Sequence, residues 1–147
     1  MRADARGGGN ASLFSLGGIR MKRITLGEVL DRADKLKHDN RYDTETKISW
    51  ISRLEMLIAD EIIRKHEGGE NFRFDGYDKD TAMDTELIVP EPYADIYVHW
   101  IHSKIDLFNQ DYERYNNSAS AYYAEYQSFA AYYNRENMPV QNKIKVF

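Results

Sequence analysis

"PYADIYVHWIHSKIDLFNQDYERYNNSASAYYAEYQSFAAYYNREN", Pro92 to Asn137, is the stretch on which the fold turns. Tyr93, Tyr97, Ile101, Ile105, Phe108, Tyr112, Tyr115, Ala119, Tyr122, Tyr126, Phe129 and Tyr133 recur three or four residues apart along all of it. That spacing puts apolar side chains on one face of an α-helix. Pro92 suits a first helical turn, where its missing N–H has no partner to lose. Pro139 stops the run. The stripe keeps its register through "YNNSAS", so residues 92–136 read as one long helix, with any kink falling at Asn116–Asn117. At 1.5 Å per residue such a helix spans roughly 65 Å, more than the diameter of a small domain. Ile96, Trp100 and Leu107 widen the apolar arc of its first half, which suits core packing and takes Tyr97, Phe108 and Tyr112 with it. The second half carries six tyrosines and a phenylalanine between Tyr115 and Asn137, flanked by Ala, Ser, Gln and Glu. A narrow aromatic stripe of this kind reads as a surface to be covered by another polypeptide.

Two shorter helices precede it. "TLGEVLDRADKLKHDN" opens on a capping box, Thr25 with Glu28, and Leu26, Val29, Leu30, Ala33 and Leu36 follow at helical spacing. "DTETKISWISRLEMLIADEIIRKHEGG" is capped by Asp43 or Thr44. Arg64, Lys65 and His66 fall in its last turn, and Gly68 or Gly69 supplies the left-handed stop. Ile48, Trp50, Ile51, Leu54, Leu57, Ile58, Ile62 and Ile63 cover more than one face, which predicts a central helix. Residues 70–91 break the pattern. Phe72-Arg73-Phe74 and Leu87-Ile88-Val89 are short β-prone runs on either side of an acidic loop, and they predict a long excursion or a small two-stranded ribbon. The fold class expected is mostly α: two shorter helices, a long loop or small β-ribbon, and a long C-terminal helix. In the tail "NKIKVF", Ile144 and Val146 share a side; a frayed end and a strand added to a neighbour's sheet edge are the alternatives.

Residues 1–20, "MRADARGGGNASLFSLGGIR", lack periodicity and read as a flexible extension. Gly17-Gly18-Ile19-Arg20-Met21 back-translates to a purine-rich ribosome-binding sequence ahead of a start codon at Met21. On that codon choice residues 1–20 are expected to be upstream sequence read as protein; a true N-terminal arm that orders on binding is the other reading. Residues 21–147 form a single domain, long enough for a hydrophobic core.

Composition narrows the function classes. The chain of 147 residues has no cysteine, which excludes disulfides, thiol catalysis and cysteine-ligated metals. Its net charge of −4, from 20 basic and 24 acidic side chains, offers no basic surplus for gripping duplex phosphates. No apolar run reaches the roughly 18 residues of a membrane span, and no signal-peptide core is present, so a soluble protein made inside the cell is expected. His99, His102 and Asp106 share a helical face but lack the glutamate of a zinc-protease motif, so that face reads as solvated. Asp75, Asp78, Asp80, Asp84 and Glu86 fail the spacing of a calcium-binding EF-hand loop. No phosphate loop or nucleophile signature occurs. The chain reads as a non-enzyme with no cofactor and no metal. The tyrosines would suit base stacking in a nucleic-acid-binding packaging factor, but around residues 119–133 the one charge is Glu125, and stacking platforms work alongside Arg or Lys.

"ISWISRLEMLIADEII", "GYDKDTAMDTELIVPEPYADIYVHWI" and "YERYNNSASAYYAEYQSFAAYYNREN" resemble the head–tail connector (adaptor) proteins of long-tailed bacteriophages and prophages of Gram-positive bacteria. The likeness runs from Met21 to Pro139, with "DTELIVPEPY" and "YNNS…YYNR" its most specific parts. It implies a mostly helical subunit, without chemistry of its own, that forms a homo-oligomeric ring in the virion neck after assembly in the host cytoplasm. The ring would join the portal protein to the stopper or tail-completion protein, with DNA passing through the lumen without sequence-specific binding and no membrane involved. On that reading loop 70–91 and tail 138–147 are assembly arms. The interface residues are then Tyr115, Tyr122, Tyr126, Phe129 and Tyr133 on the helix, Asp75, Tyr77 and Asp78 in the loop, and Ile144 and Val146 in the tail.

Overall fold

The structure, a computed structural model, describes residues 15–16, 19–37 and 41–140. Strands β1 (Ser15–Leu16) and β2 (Ile19–Arg20) pair antiparallel within the segment expected to be a flexible extension. Strand β3 (Arg23–Thr25) leads directly into helix α1 (Leu26–Leu36). The capping box forms as its sequence predicts. The Glu28 amide donates to the Thr25 hydroxyl and the Thr25 amide to the Glu28 carboxylate. The next free amides of the first turn, those of Leu26 and Gly27, donate to Thr85 O and Met83 O at 2.9 and 2.8 Å. Every orphan donor there needs such a partner. Gly27 lets the turn at Met83 come this close, because a Cβ at that position would lie 3.1 Å from Met83 O.

Helix α2 (Thr44–Glu61) is capped by Asp43, whose carboxylate accepts from the Thr46 amide and is thereby held below the usual carboxylate range. It ends earlier than expected. Ile63–Lys65 form a separate 3-10 turn, and Gly68, at φ 87°, makes the left-handed turn after it.

A two-stranded ribbon exists, but with another partner. Strand β4 (Glu86–Pro90) pairs antiparallel with β3, and Phe72–Phe74 are not a strand. Leu87, Ile88 and Val89 are fully buried, and Ile24 on β3 is equally enclosed. Pairing these two strands hides both apolar runs at once. Phe72 and Phe74 instead press their rings against the core, and Phe74 meets Tyr77 edge-on at 4.8 Å. Residues 70–85 thus form a strap across the molecule.

The single long helix is the main correction. Helix α3 (Asp95–Phe108), entered through a 3-10 turn over Glu91–Tyr93, stops at Asn109, and helix α4 (Tyr112–Glu136) folds back along it. The break lies at 109–111, and Asn116–Asn117 sit inside α4. Gln110 takes a left-handed φ of 61°, Gln110 N–H donates to Leu107 O, and Asp111 N–H donates to Asp106 O. This is the paired bonding of a Schellman stop. Asp111 then caps α4 by accepting from the Arg114 amide at 3.2 Å. Asp106 fastens the hairpin. It is buried, with Lys37 Nζ at 2.6 Å and the Ser118 hydroxyl donating at 2.5 Å.

Helix α3 is the centre of the bundle. Contacts of Arg32 with Glu91 and of Lys37 with Asp106 show α1 running parallel to it. Contacts of Tyr42 with Asn109 and of Glu55 with Tyr97 show α2 running antiparallel, and Trp100 against Tyr122 shows the same for α4.

Candidate interaction surfaces

Glu55 is the most enclosed charged group of the core. It is 0% exposed, on a helix whose neighbouring positions are apolar. Its carboxylate accepts from the Tyr97 hydroxyl at 2.5 Å, the Tyr77 hydroxyl at 2.9 Å and the Ile88 amide at 2.9 Å. The Tyr97 oxygen also accepts from the Val89 amide. Four parts of the chain (α2, the strap, β4 and α3) therefore meet on one side chain. Burial pushes the Glu55 carboxyl above its usual range despite the three donors, and burial with the adjacent carboxylate pushes the Tyr97 phenol well up. No solvent reaches the group, so it anchors the fold and is not placed to meet a substrate.

The proposed interface residues divide three ways. Phe129 and Tyr133 are 0% exposed and belong to the chain's own core, which corrects their assignment to a neighbour-facing stripe. The reason is the hairpin: folding back brings Phe129 to Tyr93 and Tyr133 to His66, at ring separations of 5.9 and 4.9 Å. Tyr77, expected at the loop surface, is also buried, on Glu55.

A second group lies half-buried at the seams. Tyr122 packs on Trp100 at 4.9 Å, and burial raises its phenol to about 12. Tyr126 donates to Glu61 at 2.5 Å, and burial followed by that bond raises it further. Tyr115 is half-buried near the start of α4.

Asp75 and Asp78 are exposed. Asp78 is occupied locally, accepting from the Asp80 amide at 2.9 Å in a turn of its own. Ile144 and Val146 lie outside the described residues.

A surface that the sequence reading gave to the core lies at the turn end of the bundle, where α3 stops and α2 and α4 begin. Trp50 and Phe108 stack at 5.9 Å with an interplanar angle of 13°, and Tyr42 sits 5.4 Å from Trp50. Phe108 remains 58% exposed and Tyr112 60%, against the expectation that both pack inside. The one available signal was the sequence "FNQDY": Asn, Gln and Asp together are turn-competent, and Asp111 is a good helix cap.

The histidine face also differs from its reading as solvated. His102 Nε2 lies 3.0 Å from Ala33 O, and burial lowers its basicity. Among the described residues no group of three or more His, Asp or Glu is placed to hold a metal ion, the acidic loop included. Among the same residues no helix is long and apolar enough to cross a membrane. Comparison of the chain with known protein families, curated proteins and solved structures finds no match.

Proposed function

We propose that the chain is a structural subunit of a tailed phage or prophage, a head–tail connector that forms a ring between the portal and the stopper or tail-completion protein. The observation that supports this most is the aromatic shelf at the turn end of the bundle. Large rings left open to solvent at one end, with Phe108 stacked on Trp50 beside Tyr42 and Tyr112 exposed at the start of α4, are typical of protein-contact sites. A ring needs heterologous patches on each subunit, and a shelf at one end of an elongated bundle suits such an arrangement. The net charge of −4 suits a channel through which DNA slides, since a lumen of like sign does not hold phosphates.

The test is assembly. The chain is co-expressed with a portal protein of a long-tailed phage, and rings are scored by electron microscopy and native mass spectrometry. The double variant Phe108→Ala/Tyr112→Ala is expected to remain folded and to weaken assembly by at least ~2 kcal/mol. Undiminished ring formation by that variant removes the shelf from the proposal. The rival reading, a packaging factor that stacks bases on tyrosine, predicts a salt-sensitive mobility shift with DNA. Tyr122, Tyr126, Phe129 and Tyr133 already pack against rings of this chain, which leaves few free faces for bases.

A further inference from the structure

Beside the aromatic shelf, α3 presents Trp100, Lys104 and Phe108 one turn apart on the face that lies between α2 and α4. Trp100 fixes that placement: its Nε1–H donates to Trp50 O on α2 at 2.8 Å, and its ring meets Tyr122 on α4 at 4.9 Å. Lys104 Nζ lies 4.3 Å from the centre of the Trp100 ring. The charge that acts on it is a second cation, the exposed Arg53 of α2. Burial, and then Arg53, lower the basicity of Lys104. Neither side chain makes an ion pair among the described residues. The ring face offsets part of the cost of a half-buried ammonium, but a like charge beside it adds to that cost until an anion arrives.

The complementary charge is on the strap of the same protein. Its tip, Asp78 to Asp84, carries three carboxylates and one lysine. Asp78 is used within the tip, where it accepts from the Asp80 amide. The carboxylates of Asp80 and Asp84 are exposed and make no ion pair among the described residues, and Met83 between them is 43% exposed. The tip is already ordered. Thr81 N–H donates to Asp78 O, and the Leu26 and Gly27 amides hold Thr85 O and Met83 O to the first turn of α1. A segment held in shape this way loses little freedom on docking. Those bonds also keep it from its own cations. They pin it at the end where β3 and β4 pair, whereas Lys104 is nine residues, roughly 14 Å, along α3 toward the turn end.

We propose that the strap tip of one copy docks on the Arg53–Lys104 face of the next, with Asp80 and Asp84 toward the two cations and Met83 toward the exposed ring of Phe108. The carboxylates supply the anion that Lys104 and Arg53 lack, and a thioether against an aromatic ring is a favourable contact. The two patches differ, so the contact is heterologous: each docked pair leaves one tip and one cationic face open for further copies. This deepens the connector reading and rests on it only for closure of the series into a ring. The contact itself is tested on the pure chain, without a portal.

Isotope-labelled and unlabelled copies of the full chain are mixed in equal amounts and treated with a carbodiimide. The reagent activates a carboxylate, a touching lysine amine displaces it to form an amide, and the carboxylate oxygen leaves in the urea by-product. Peptide mapping is expected to find Lys104 joined to Asp80 or Asp84 in pairs of mixed isotope. Cross-links that omit Lys104, or that fall within single copies, overturn the proposal. Self-association is then followed by sedimentation at low salt, and its absence in the wild type also overturns the proposal. Arg53→Glu and Asp84→Lys, both at exposed positions, are each expected to weaken it at least tenfold, because each sets like charges opposite one another. Combined in one chain, the two changes restore opposite charges and are expected to return association to within a few-fold of wild type. A double variant as weak as the single ones overturns the proposal. So does a mobility shift of duplex DNA by the wild type that Arg53→Glu abolishes, which would give the cations to phosphates. A chain that passes these tests and forms no ring on a portal keeps the contact and loses the connector reading.

Discussion

The two ends of this bundle treat the same kind of side chain in opposite ways. At the ribbon end Tyr97, Phe129 and Tyr133 are completely enclosed; at the turn end Phe108 and Tyr112 stand 58% and 60% exposed. All five belong to one three-and-four repeat. What differs is what lies opposite. The ribbon end has β3, β4, the strap with Tyr77, and the rings of Tyr93 and His66 to close over the aromatics. The turn end has Trp50 and Tyr42, enough to stack against Phe108 and too little to cover it. An aromatic repeat therefore says that rings will be on one face of a helix and nothing about whether this chain or another covers them.

The contrast is breakable by substitution. The largest effect is expected from Phe129→Ala, which leaves a cavity in a closed site; urea unfolding should show a loss of ~3–5 kcal/mol. A loss under about 1 kcal/mol would mean that the ribbon end is not closed. Tyr97→Phe removes the hydroxyl that donates to Glu55 and accepts from the Val89 amide. It is expected to lower stability by about 1–3 kcal/mol, the penalty of stranding buried polar groups. An effect of that size at the ribbon end, with none from polar changes at the turn end, sharpens the comparison.

Glu55 adds a pH signature. Burial holds its folded carboxyl above the ordinary glutamate value of 4.5, so the folded state binds this proton more tightly than the unfolded chain does. That contribution to stability is fully present below the unfolded value and is lost as pH rises from there through the folded one. Wild type measured against Glu55→Gln should therefore lose relative stability as pH rises above 4.5, by at most about 1.4 kcal/mol per pH unit. A flat difference curve would show that the carboxyl is not raised. The smallest effect is expected at the open end: Tyr112→Ala should leave the unfolding free energy within ~0.5 kcal/mol of wild type, as surface changes do. A larger loss would show that Tyr112 is structural.

Much of the architecture was legible because its signals are local. The Thr25–Glu28 capping box formed as read, and of the two caps offered for α2, Asp43 and Thr44, it is Asp43 that accepts from the Thr46 amide; such bonds close within four residues. The mostly helical fold with a small two-stranded ribbon was readable from period and β-propensity. The partner of the ribbon was not. Leu87-Ile88-Val89 needs an apolar strand opposite, and Phe72–Phe74 and Arg23–Thr25 both offered one. Arg23–Thr25 won because it also carries the chain into α1, whose free amides the 83–85 segment then satisfies.

The sequence by itself determined where helices begin, which faces are apolar and which segments are too short-ranged to be helical, since each follows from interactions among residues a few positions apart. Only the tertiary structure decided that residues 92–136 are a hairpin. Its turn, Asn109-Gln110-Asp111, contains neither Gly nor Pro, and both of its helices carry the same repeat, so the periodicity passes through the reversal unbroken. The reversal is favourable because it encloses Phe129, Tyr132 and Tyr133 on α3 and beside His66, surface that a straight helix would leave in water. Which rings are covered is thus settled by contacts between segments far apart in the chain, and no window of sequence contains them.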